Sequence, residues 1–263
     1  MKRIISLLLV AFIIFTSACS CKEESSVKIN INGENVVDAK TTFDTESEKP
    51  LNVEISRGGL AKIDFGHQNG KPVTWLVITE DDNGKILLSE KILDVKKYNE
   101  KEEDITWDKT TLYEYLNSDF VNEYFTKEEK EKMTFTNDVD NDFVTMLSID
   151  NLLDLFGDMN YVKDGYYSDK NFFAANKDIV AKPADLALYN EIEVFDNDTM
   201  AQIMRTDIDE RYDFANGCAG YWVLNKVKDV PNAFYITATG YVGNTPVNTD
   251  YIGIRPIIRL KAE

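Results

Sequence analysis

Three thiols, one imidazole and 46 carboxylates are the reactive groups of this 263-residue chain. Cys19 closes the run Thr16-Ser17-Ala18-Cys19, in which small residues precede a thiol behind a Lys2-Arg3 basic pair and the apolar stretch Ile4 to Phe15. That order reads as a secretory leader over residues 1–18 whose removal frees Cys19 for lipid attachment. The apolar stretch falls short of the ~20 residues a membrane-spanning helix needs, so a lipoprotein held at the extracytoplasmic face of the cell membrane is expected instead. Cys21 lies two residues on and Cys218 is the remaining thiol, too few for a disulfide framework. Cys218 is expected to behave as a small buried hydrophobe, with a Cys21 pairing left open.

His67 is the single histidine, placed in a turn that ends at Asn69-Gly70, and no nucleophile motif accompanies it. One histidine without a Cys-x-x-Cys pair gives no zinc pattern. Asp138, Asp140 and Asp142 alternate like the start of a calcium loop. The sixth position carries no glycine, however, and Ile149 stands where a bidentate glutamate is required. No cofactor is therefore expected; calcium in a non-local carboxylate site, drawing on Asp196 to Asp198 and Asp207 to Glu210, is the one ion left open. With so many acids, pairs at glycosidase spacing are guaranteed by abundance and are unspecific.

Ligand recognition has a clearer signature. Tyr161, Tyr166 and Tyr167 crowd an irregular stretch, Asp158 to Lys182, with Phe172, Phe173 and several amides and acids. Aromatic faces beside polar tips suit sugar or peptide recognition, because the ring packs while the polar groups select orientation. Trp222 and the segment Gly240 to Tyr251, with Asn244, Asn248 and Asp250, are the second candidate, whereas Trp75 and Trp107 are assigned to the core. The chain carries a net charge of −17, and loss of Lys2 and Arg3 with the leader makes it more acidic still. Nucleic acid, bearing the same sign of charge, is excluded as a partner.

The elements that must hold these residues are legible in outline. Ser20 to Ala61 is polar and reads as a tether, with one weak hairpin around Asn32-Gly33; compact structure is expected from Ile63. Val73 to Ile78 and Ile86 to Leu88, separated by Asp81-Asp82-Asn83-Gly84, form a β-hairpin. Helices are expected from Thr111, with Glu114 completing a capping box, and from Thr126 with Glu129. Phe143 to Leu147 is a strand, Ser148 caps a helix ending at Gly157, and a short helix follows Pro183. Strands are expected at Tyr221 to Leu224 and Ala233 to Thr239. The closing Ile254 to Leu260 strand alternates as if one face were solvated, with Pro256 at an edge or a strand start. Without regular βαβ alternation the class is α+β with a mainly antiparallel sheet.

The order Phe65-Gly66, Pro72 to Ile78, Ile86 to Ser89, Thr106-Trp107, Leu116-Asn117, Met146 to Ser148, Tyr221 to Leu224 and Gly253-Ile254-Arg255-Pro256 resembles an uncharacterised bacterial domain family. That family is common in surface and secreted proteins of Gram-positive anaerobes, and its members carry no assigned activity. The resemblance covers about residues 62 to 260. Tyr113 and Glu114 stand where the family has an arginine, and Tyr221 replaces a second tryptophan beside Trp222. The family is in turn similar to C-type lectin-like folds, which implies paired N- and C-terminal strands, two to four short helices and a long irregular loop region forming a ligand surface. One sulfatase-modifying relative of that fold uses a cysteine pair, which Cys218 alone does not supply. The expected organisation is a leader (1–18), a tether (19–61) and a C-type lectin-like domain (62–263). Its expected role is that of a non-enzymatic binding or interaction module with a glycan or protein ligand at the cell surface. The alternative is an envelope-associated, carboxylate-dependent hydrolase.

Overall fold

A computed structural model describes residues 60–136, 142–156, 179–199 and 210–262. All the described residues belong to one compact unit, Phe43–Glu263. Cys19, Cys21, Tyr161, Tyr166, Tyr167, Phe172, Phe173, Asp138, Asp140 and most of the expected tether lie outside the described residues.

The first sheet begins with β1 (Ala61–Gln68), β2 (Lys71–Asp81) and β3 (Gly84–Ser89). Both connections are tight. Asn69 and Gly70 each take a left-handed backbone (φ 51° and 75°), the conformation a two-residue hairpin turn requires and Asn-Gly supplies at least cost. The terminal strand β11 (Pro256–Leu260) then pairs with β3 and also receives the short strands β5 (Met133–Thr134) and β6 (Val144–Met146), every pair antiparallel. The second sheet runs β4 (Asp94–Val95), β10 (Gly253–Ile254), β7 (Tyr221–Lys226), β8 (Asn232–Ile236) and β9 (Val242–Pro246), with β10–β7 its one parallel contact. The protein is thus mixed α and β, with mostly antiparallel sheets and few short helices. β2 and β3 stand between β1 and β11, so the first and last described strands share a sheet without pairing.

Helices cover what the sheets leave bare. α1 (Thr111–Tyr115), a wide π-type turn (Leu116–Phe120) and α2 (Val121–Tyr124) make one helical stretch, and α3 (Lys127–Lys132) follows. α4 (Ile149–Phe156) and α5 (Asp185–Tyr189) lie further along the chain. The cap of α1 is Thr110, whose hydroxyl accepts from the Tyr113 N–H at 3.1 Å. Thr111, the expected cap, instead accepts from the Glu100 N–H at 3.0 Å. The box at Thr126 is complete, and Ser148 and Asn151 cap α4 reciprocally at 3.1 Å.

Strand period explains the core. Leu76, Ile78, Ile86, Leu88 and Ile257 face one side, packed with Leu152, Tyr221, Val223 and Ile236. Trp75, Leu87 and Ile258 face the other, against Leu112, Leu116, Phe120, Phe125 and Trp222. Both faces of the first sheet are covered, and for that reason β2 reads as a continuous apolar run. The solvated face expected of the terminal strand is corrected accordingly: Ile257 is buried and Arg255 is only 1% exposed.

Candidate functional site

A cleft of about 290 Å³ opens where the β1–β2 turn, the segment after β3 and the start of α5 meet. Backbone pairing puts its walls in place. The Glu90 N–H donates to the Thr74 carbonyl (3.0 Å), carrying the chain along β2 beyond the end of β3. Ile92 and Pro183 then run side by side, the Ile92 N–H donating to Lys182 O (3.1 Å) and the Ala184 N–H to Ile92 O (2.7 Å). α5 therefore starts at the rim, and its first residue, Asp185, reaches Lys71 at 2.7 Å. Each of these side chains is about three-quarters exposed, 75% for Lys71 and 74% for Asp185. The hydrogen bond and charge of Asp185 raise the Lys71 pKa, and the same contacts hold the Asp185 carboxyl below its usual value, with Lys91 adding to the effect.

Val73, Leu93 and Ala184 give the cleft an apolar floor, and Glu90 in one wall pairs with Lys62. Gln68 bridges inward, its amide donating to Leu93 O at 2.8 Å and to the Tyr124 hydroxyl. Close by is a buried carboxylate, Asp94, 2% exposed. It accepts from its neighbour's Val95 N–H (2.7 Å), from the Asn190 amide (2.5 Å) and from the Tyr115 hydroxyl (3.3 Å), and it pairs with Lys96 at 3.0 Å. Burial first, then the charge of Asp94, pushes the Tyr115 phenol well above its usual range, and burial does the same to Tyr124. Both phenols stay protonated at neutral pH and serve as hydrogen-bonding posts behind the cleft.

The residues nominated from sequence are distributed otherwise. Trp222 is fully buried, and its indole N–H donates to Lys96 O at 2.8 Å. It is a core residue, and its place on a ligand surface is corrected. Gly240 to Tyr251 is not one loop, because β9 occupies its middle. Asn244 lies exposed on that edge strand, accepting from the Asn232 amide at 3.1 Å. Asn248 is half-buried in the following turn and Asp250 is exposed. None of the three lines the cleft. Trp75 is fully buried with its N–H on Phe65 O (2.7 Å), whereas Trp107 is half-buried at the core's margin.

His67 falls within β1, opposite Pro72, and not in a turn. Cys218 is 3% exposed, and burial pushes its thiol pKa up. Asp196 accepts from the Asp198 N–H (3.1 Å) and the Thr199 hydroxyl (2.5 Å), a local turn-closing role. Among the described residues no three His, Cys, Asp or Glu side chains are grouped as a metal site, and no helix is long and apolar enough to cross a membrane. Gln68, Lys71, Lys91 and Asp185 were not nominated from sequence. Their only signals were Asn69-Gly70, which sets Gln68 against Lys71, and Pro183, which announces α5.

Comparison with known proteins returns no match among curated proteins and none among solved structures. Residues 82–262, more than two-thirds of the chain, match the family described as Domain of unknown function (DUF6273), and the chain belongs to that family.

Proposed function

We propose that this protein is a non-catalytic recognition module, displayed outside the cell membrane by an acylated Cys19, whose glycan or protein ligand sits in the cleft between the β1–β2 turn and α5. The observation that carries the reading is the lining of that cleft: two lysines, two carboxylates and two amides around a small apolar floor, with a volume close to the lower limit typical of small-ligand sites. We further propose a C-type lectin-like arrangement for the domain, supported by its small, mostly antiparallel sheets and by a C-terminal strand placed inside the first of them.

One observation favours a carboxylate-dependent hydrolase: Glu90 and Asp185 line the same cleft. Against it, both carboxylates are paired with lysines, and Asp185 is held below the usual carboxylate range. A general acid needs the opposite shift. Glycan arrays and envelope pull-downs with the wild-type protein test the proposal, which expects retention of a defined glycan or protein without turnover. Empty results in both, or cleavage of a glycan that Asp185→Asn or Glu90→Gln abolishes, contradict it.

A further inference from the structure

We infer that the ligand of this cleft presents a carboxylate, which Lys71 and Lys91 receive in the place Asp185 holds in the free protein. The inference rests on the recognition reading and narrows it to a ligand class. In the free protein the Lys71 ammonium is occupied by a carboxylate of the same chain, 2.7 Å away at the rim. Both partners are largely exposed, and a solvent-exposed ion pair contributes little to stability, so a competing carboxylate can take the position of Asp185.

The charges around the cleft indicate the sign of the ligand. Glu90 is taken by Lys62 and Asp185 by Lys71. Lys91, exposed in the same lining as Asp185, has no ion-pair partner among the described residues, and its charge adds a minor contribution to holding the Asp185 carboxyl down. The lining itself carries two ammonium groups and two carboxylates, and with both carboxylates paired Lys91 is its one charged side chain without an ion-pair partner, on a chain whose overall charge is −17. A cationic ligand has to displace a lysine from Glu90 or Asp185 and still meets the unpaired Lys91. An anionic ligand displaces one carboxylate and gains two ammonium groups. Gln68, Val73, Leu93 and Ala184 form the inner surface on which the uncharged body of such a ligand rests. A uronate sugar and an acidic peptide share this chemistry.

The test is a calorimetric titration of the wild-type protein with four probes: a galacturonate trisaccharide, the neutral galactose trisaccharide, a short Glu-containing peptide and its Gln counterpart. At least one acidic probe is expected to bind ten times more tightly than its neutral partner, and which one does so identifies the source of the carboxylate. Lys71→Met and Lys91→Met are each expected to weaken that binding about tenfold without moving the melting temperature, since both side chains are exposed. Asp185→Asn frees Lys71 and is expected to strengthen it severalfold. Equal binding of acidic and neutral probes, or weaker binding by Asp185→Asn, overturns the carboxylate assignment and leaves the recognition reading standing. Failure of both acidic probes to bind also overturns it, and the recognition reading falls as well only if arrays and pull-downs are empty.

Discussion

Arg255 donates its Nε–H to the Ser89 carbonyl at 3.0 Å and a terminal N–H to the Ile179 carbonyl at 3.3 Å, with the Tyr221 hydroxyl at 3.4 Å and its ring beneath the guanidinium. It thereby ties the end of β3 to β7 and to the segment that enters α5. Asn117 works in the same way. Its amide donates to Val144 O (3.0 Å) and its oxygen accepts from the Phe143 and Val144 N–H groups (3.0 and 3.1 Å), so a side chain acts as a strand neighbour for β6. Both residues belong to the motifs Gly-x-Arg-Pro and Leu-Asn that were conspicuous in sequence, and both serve the fold. Removing Arg255 takes a donor from the buried Ser89 carbonyl, and removing Asn117 takes side-chain partners from the Val144 N–H and carbonyl, each buried group left unpaired costing about 1–3 kcal/mol. Arg255→Met and Asn117→Ala are each expected to lower stability in urea melts by roughly 2–4 kcal/mol. A loss below half a kilocalorie would mean the bonds are dispensable. Arginine in the alternating terminal run suggested a solvated face; period 2 marks a face but not whether water or protein covers it.

The turn that starts α3 joins an element to the sheet. Glu129 accepts from the Thr126 N–H at 2.8 Å as the return half of the capping box, and from the Gly66 N–H at 3.1 Å in β1. Partial burial is the largest single influence on its carboxyl and acts upward. The Thr126 backbone and hydroxyl, the Gly66 N–H and His67 together outweigh it and hold the carboxyl below its usual value. A carboxylate depressed in the folded state contributes stability in full above its unfolded pKa of about 4.3, and loses that contribution as pH falls through the lower folded value. Glu129→Gln is therefore expected to flatten the acid limb of the stability–pH curve below about pH 5, read by thermal melts. An unchanged limb would show the bond to be inconsequential. Thr126→Ala is expected to cost about 0.5–2 kcal/mol. This cap was legible because a capping box is local. The cap of α1 lies one residue before the expected Thr111 because Thr110 and Thr111 offer the same hydroxyl, and the distant Asn99–Glu100 pair, which binds the N–H and hydroxyl of Thr111, decides between them.

The whole molecule closes on β11, which pairs with β3, β5 and β6 and so joins the chain's end to three earlier segments. Ile258, fully buried at its centre, touches the helical face of the core. Ile258→Ala is expected to cost about 2–5 kcal/mol and to lower a single cooperative transition; two separate transitions would contradict a shared core. The β2–β3 hairpin, the strands at 144–146, 221–224 and 233–236 and two of the caps were readable because their signals span a few residues. The run Ile254 to Leu260, expected as one strand, is instead divided at Arg255 between β10 of the second sheet and β11 of the first. The cleft was not, since Gln68, Lys71, Lys91 and Asp185 become neighbours only through the Asn69-Gly70 turn and the Ile92–Pro183 contact. Its β1–β2 side also precedes residue 82, where the family match begins. The polar residues Asn244, Asn248 and Asp250 stand out by composition, and they belong to the second sheet's edge and the turn after it.

Hydrogen exchange of the wild-type protein, with and without the envelope fraction it retains, discriminates most directly between these two surfaces. Slowed exchange in 69–74, 90–93 and 184–186, with 242–250 unchanged, is the predicted result. Slowed exchange confined to 242–250 would place recognition on the second sheet and contradict the account.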